Sequence, residues 1–131
     1  MLTLSKDMET GVSIIDAQHK ELIDRVNAVT AMGVKSVSKE ETKKTLDLLG
    51  DYIIKHFRDE EEVQKRVRYP HFEAHRKQHQ FYIGEFKKLK DEFNKNGVSA
   101  RFTLDLNNSI ITWIVRHIKK EDVALGQFLN S

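Results

Sequence analysis

Four segments of this chain carry core-type side chains at steps of three and four, and each of the four stripes is broken by histidine. Steps of three and four line one face of an α-helix. The first stripe reads Ile15, His19, Leu22, Val26, Val29. The second reads Leu46, Leu49, Ile53, His56, Glu60, Val63, Val67. The third reads Phe72, His75, His79, Tyr82, Phe86, Leu89, Phe93, and the fourth Leu106, Ile110, Trp113, His117. Apart from the histidines and Glu60, every member is aliphatic or aromatic.

Helices with one apolar face must bury those faces against each other. The expected architecture is all-α, an up-down-up-down antiparallel four-helix bundle formed by residues 1–131 as one domain. The chain holds a single proline, which suits helices. Asp16 is placed to cap a first helix over roughly 17–33, ending near Gly33. Ser38 and Glu41 form a capping box for a second, roughly 39–67. Pro70 suits the first position of a third, roughly 70–95, which Asn96-Gly97 stops. Thr103 is placed to cap a fourth, roughly 104–120, with a short turn "VALGQFL" after it.

A lone histidine on an apolar face is usually a core residue with a hydrogen-bond partner. Five of them, spread over four converging stripes, are a different matter. Burying five imidazoles and a carboxylate is costly unless each is partnered. A metal cation partners all of them at once and neutralises the acid. Nitrogen and carboxylate donors without sulfur suit iron, manganese, zinc or copper, and disfavour calcium and magnesium. Five histidines exceed one tetrahedral site, so two metals fit better. Glu60, one turn after His56, is placed to bridge them. Near His117 the spacing favours Glu121, four residues on. Asp122, five residues on, falls about 140° round an ideal helix. His71 lies one residue off the phase of His75 and His79 and is expected at the surface.

Composition narrows the partners. The net charge is +2, with no concentrated basic patch, so nucleic acid is not an expected partner. Cysteine is absent, which excludes disulfides, iron–sulfur clusters and thiol catalysis. No run reaches the ~20 apolar residues of a membrane span, and the N-terminus lacks a signal-peptide core. No membrane association is expected, and the expected location is the cytoplasm.

The motifs "DAQHKEL" (16–22), "HFRDEE" (56–61), "YPHFEAHRKQH" (69–79) and "WIVRHIKKED" (113–122) together resemble the bacterial hemerythrins. The resemblance runs from about Gly11 to Asp122. It implies a non-haem di-iron centre that binds dioxygen reversibly, for storage, delivery or sensing. Carried over by residue, His19 and His56 would hold one iron, and His75, His79 and His117 the other. Glu60 and Asp122 would bridge the pair with an oxo or hydroxo group. The resemblance thus selects Asp122 where spacing selects Glu121, and it requires the helix to end or bend after Lys120. Dioxygen would bind at the iron with two histidines. Phe57, Trp113 and Ile114 would wall the site against water, although Trp113 serves equally as plain core packing.

The chain departs from the family pattern in places. Leu4 stands where many members have tryptophan, and Gln64 and Arg68 stand where many have methionine and glycine. Gln64, one turn after Glu60, is either a polar neighbour of the site or a surface residue. The resemblance implies a binding protein rather than an enzyme. The alternative is a di-iron enzyme acting on peroxide, oxygen or nitric oxide, and a metal-free helical interaction module is the third reading. A sensing or delivery role would call for a separate oxygen-using or signalling partner protein.

Overall fold

A computed structural model describes residues 2–34 and 38–131 of the chain. Three long helices come first: α1 at Ser13–Val34, α2 at Lys39–Arg66 and α3 at Phe72–Asn96. A fourth helical run, α4, continues unbroken over residues 100–129. The four form a helical bundle with no strand among the described residues. The Ser38 side chain accepts from Glu41 N–H, as its capping box requires. Gly97 ends α3 with a positive φ of 67°, a conformation glycine adopts without Cβ strain.

Three helix starts differ from the sequence expectation. α1 begins at Ser13, because Asp16 N–H already bonds the Val12 carbonyl. Asp16 sits inside the first turn and reaches back, accepting from Thr10 N–H at 2.9 Å and Thr10 hydroxyl at 2.7 Å. α3 begins at Phe72 rather than Pro70, which belongs to the preceding turn. α4 begins at Ala100, where the Ser99 hydroxyl takes the capping role expected of Thr103 by accepting from Phe102 N–H.

α4 also runs past residue 120. It is α-helical over Ala100–Asp105, Thr112–His117 and Val123–Leu129, and widens into π turns over Leu106–Ile111 and Ile118–Asp122. The cause is visible in one row of its buried residues: Phe102, Leu106, Ile110, Ile114, Ile118 and Asp122, at strict four-residue steps. A step of four overshoots a regular helix turn by about 40°, so five such steps would carry Asp122 about 200° off the face. Wider i to i+5 turns absorb that drift and keep the whole row inward.

The large apolar core packs Leu22, Val26, Leu46, Leu49, Ile53, Phe57, Tyr82, Phe86, Phe93, Phe102, Ile110 and Ile114, among others. Leu4, in the N-terminal arm, packs against this core, and Met8 is buried in it. A smaller cluster of Ile15, Tyr69 and Leu125 closes the other side. Three stretches of chain carry a polar residue between members of the two clusters: His19 lies between Ile15 and Leu22, Glu60 between Phe57 and Tyr69, and Asp122 between Ile118 and Leu125. The fold therefore places a polar layer between two apolar layers. No helix among the described residues is long and apolar enough to cross a membrane.

Candidate metal centre

His19 from α1, His56 and Glu60 from α2, His75 and His79 from α3, and His117 and Asp122 from α4 meet in the polar layer, all buried. Their donor atoms form two overlapping groups, each spanning no more than 4.8 Å. One holds His19, His56, Glu60 and Asp122; the other holds His75, His79, His117, Glu60 and Asp122. The two carboxylates belong to both.

The division reaches the level of single oxygens. Glu60 Oε2 faces His56 Nε2 at 3.6 Å and His19 Nε2 at 3.9 Å. Glu60 Oε1 faces His75 Nε2 and His79 Nε2, each at 3.1 Å. Asp122 Oδ2 lies 2.9 Å from His19 Nε2, while its Oδ1 lies 2.9 Å from His75 Nε2 and 3.4 Å from His117 Nε2. Both carboxylates thus point one oxygen at each histidine group, which is the disposition of a bridging ligand.

Asp122, not Glu121, is the buried acid of α4, while Glu121 is only half-buried. The expectation from ideal helix spacing is overturned by the π turn at Ile118–Asp122, which brings residues five apart onto one face. The helix does not end after Lys120 but continues through the π turn to Leu129.

The lower end of the α2 stripe is corrected too. Gln64 is 0% exposed, Val63 is half-buried and Val67 is 39% exposed. Gln64 turns inward because His75 Nδ1 needs a partner there, and its amide nitrogen lies 2.9 Å away. Phe72 is likewise only half-buried, and His71 is exposed, as its phase implies.

Sequence reasoning missed three more tethers. Gln18 Oε1 holds His56 Nδ1 at 2.8 Å, Glu61 Oε2 holds His79 Nδ1 at 2.8 Å, and Gln78 Oε1 holds His117 Nδ1 at 2.9 Å. These oxygens only accept, so each Nδ1 carries a proton and each Nε2 is the nitrogen turned toward the centre. Such partners orient histidine ligands and raise their basicity. Each tether directly flanks a site residue on its own helix and holds a histidine of a neighbouring helix. A polar residue beside a ligand position was the available signal.

The walls are aromatic and aliphatic. Phe57 stacks on His79 with ring centres 3.9 Å apart and planes within 5°. Trp113 stacks on His117 at 4.6 Å and on Tyr82 at 4.3 Å. Ile114 is buried and Trp113 half-buried.

The charges are strongly perturbed. Burial opposes charging of His75, but contacts with Asp122 and Glu60 override it and push its pKa up to about 10. Burial pushes His56 down to about 4, against the pull of Glu60. Burial and their mutual repulsion oppose ionisation of Glu60 and Asp122. The surrounding imidazoles still hold both carboxyls below the usual range, Asp122 well below it.

A metal fits this donor set. His19 Nε2, His79 Nε2 and all four oxygens of Glu60 and Asp122 are buried without an aligned hydrogen-bond partner. Orphaned buried lone pairs are expensive and are rarely tolerated unless an ion or water takes them up. Here they converge from four helices. Gln64 fits as well: its Oε1 is a buried acceptor without a partner. Ligation through His75 Nε2 puts the proton on Nδ1, and a turned Gln64 amide then presents that oxygen to it.

A four-helix bundle enclosing a buried, carboxylate-bridged histidine cluster defines a class of helical metal-centre proteins. The sequence comparisons say which. The family described as the hemerythrin HHE cation binding domain matches residues 10–129, and the chain belongs to that family. It is 30% identical over 131 residues to the bacteriohemerythrin of Methylococcus capsulatus, covering 100% of this chain and 98% of that one. It is also 30% identical over 119 residues to the bacteriohemerythrin of Campylobacter jejuni, covering 88% and 85%. The fold is similar to a wild-type hemerythrin crystal structure, with a TM-score of 0.85 at 29% identity and coverage of 100% and 98%.

Proposed function

We propose that the chain binds dioxygen reversibly at a non-haem di-iron centre, as a binding protein and not an enzyme, for oxygen storage, delivery or sensing. The observation that carries this reading is the splitting of Glu60 and Asp122, one oxygen of each toward His19 and His56 and the other toward His75, His79 and His117. That arrangement suits two cations held side by side, bridged by two carboxylates and a solvent-derived oxo or hydroxo group. A pair of ferrous ions supplies the two-electron redox chemistry that reversible oxygen binding needs.

The chain's own residues supply position, asymmetry and dryness. Three histidines on one side and two on the other leave the His19–His56 side with fewer protein donors, and therefore with room for an external ligand. Phe57 and Ile114, with Trp113 over His117, exclude bulk water from the donors. A surface cleft of about 420 Å³ between α1 and α2, walled by Ile14, Ile15 and Val63 and rimmed by Asp59, Glu62 and Arg66, reaches Gln18 and Glu60. It offers a small apolar molecule a short approach to the two-histidine side. The bacteriohemerythrin names of the relatives support the same reading.

Stopped-flow mixing of reduced, iron-loaded protein with oxygen tests it. The expected result is a coloured adduct that disappears when oxygen is removed and returns when it is restored. An adduct that decays in one turnover while consuming peroxide or nitric oxide would overturn the binding reading in favour of an enzyme. Purified protein that retains only zinc, with no iron, would overturn both.

A further inference from the structure

We infer that Asp59 is a positioning residue that sets the tautomer of His56, acting through Gln18, and so readies His56 Nε2 as a metal ligand. The inference rests on the metal-site reading above and adds to it a surface residue that touches no donor atom of the centre.

A chain of contacts links Asp59 to His56. Lys55 Nζ donates to Asp59 Oδ2 at 2.7 Å. Gln18 Nε2 donates to the same oxygen at 2.9 Å. Gln18 Oε1 faces His56 Nδ1 at 2.8 Å. A glutamine amide is nearly symmetric in shape, and nothing intrinsic decides which end faces which neighbour. Asp59 decides it here. An ionised carboxylate only accepts, so the amide must turn its NH2 group toward Asp59 and its carbonyl toward His56. A carbonyl also only accepts, so His56 Nδ1 must carry the ring proton. The lone pair is then left on Nε2, which points at Glu60 Oε2. One surface charge thereby fixes a buried tautomer across two helices.

The other tethers lack such an anchor. Gln64 presents its nitrogen to His75 and leaves its own oxygen unpartnered, so no second group dictates its orientation. Glu61 needs none, because a carboxylate accepts from His79 Nδ1 directly. Among the described residues, Gln18 is the one tether glutamine hydrogen-bonded to a carboxylate on its far side. The two-histidine side has no spare donor to compensate if His56 presents the wrong nitrogen. His19 Nδ1 has no hydrogen-bond partner at all, so His56 is the tethered ligand of that side.

The test uses the full-length metal-free protein at neutral pH. Two-bond ¹H–¹⁵N spectra distinguish a protonated from an unprotonated ring nitrogen, and a His56→Gln variant identifies the His56 signals. Wild type is expected to show a protonated Nδ1 and a bare Nε2. Asp59→Ala is expected to shift population toward the Nε2-protonated form. It should also weaken one of two zinc-binding steps by about 10-fold or more in calorimetry, leaving the other unchanged. Gln18→Glu in the Asp59→Ala background is expected to restore both, since a carboxylate at position 18 accepts from Nδ1 without help. Lys55→Ala should leave the tautomer in place. A wild-type His56 protonated on Nε2, or an Asp59→Ala protein with unchanged tautomer and zinc affinity, overturns the inference. A wild-type protein that binds no zinc, cobalt or iron overturns the metal reading itself, and the tautomer is then decided by the spectra alone.

Discussion

Acid should begin to destabilise the metal-free protein through one buried imidazole at a pH above that at which Glu60 and Asp122 titrate. Burial holds His56 near pKa 4 in the folded state, against about 6.5 when the chain is unfolded. Between those values the unfolded chain binds a proton that the folded chain does not, so stability falls as pH falls. The difference of about 2.5 units is worth at most about 3.4 kcal/mol at 1.36 kcal/mol per unit, of which the larger part is lost by pH 4. The raised histidines do not blur this window. His75, at about 10, contributes stability that is fully present below about 6.5 and is lost as pH rises through 10. His19 and His79, also raised, behave in the same sense. Glu60 and Asp122 lie below the usual carboxylate range, so their contribution is lost only under more acidic conditions. Urea unfolding of the metal-free protein, followed by circular dichroism, should therefore show greatest stability near pH 6.5, falling on both sides. With a typical slope near 2 kcal/mol per molar, the midpoint should drop by about 1.5 M between pH 6.5 and 4. A His56→Gln variant should lose most of that acid-side slope. An unchanged midpoint between pH 6.5 and 4.5, or an equal slope in the variant, would refute the assignment.

Three further outcomes are expected. Asp122→Ala should lower bound iron from two per chain to one or none, and Glu121→Ala should retain two, by metal analysis of the purified variants. Gly126→Ala should cost about 1–3 kcal/mol in thermal unfolding. Its added Cβ would fall 2.2 Å from the Thr10 carbonyl oxygen, where backbone meets backbone and no side chain can give way. Phe57→Ala removes the ring stacked on His79 and opens the wall; it should cost about 3–5 kcal/mol of stability and shorten the lifetime of the oxygenated colour.

Much of this protein was legible from residue spacing. Five of the histidines and Glu60 interrupt apolar stripes, and a helix turns every residue of a stripe to one side. That places His19, His56, Glu60, His75, His79 and His117 on the inward faces of four helices, and the bundle brings them together. His71, one residue off phase, was separable for the same reason. What spacing could not resolve was everything that depends on departure from ideal helix geometry or on the demands of a neighbour. The acid of α4 is the clearest case. Ideal spacing favours Glu121, but the strict four-residue row from Phe102 to Asp122 underwinds the helix, and the π turn delivers Asp122. The row was present in the sequence, but ideal helix geometry does not hold it to one face, and the two widened turns that do so are seen only in the folded helix. Gln64 turns inward past Val63 because His75 Nδ1, arriving from another helix, needs a partner. The same holds for Gln18, Glu61 and Gln78, whose roles exist only between helices. Residue spacing carries five of the histidines and Glu60 onto inward faces, because a regular stretch of helix repeats its facing every three or four residues. The tertiary structure decided which carboxylate bridges and which polar groups steer the imidazoles, because those depend on distances between helices that no single periodicity contains.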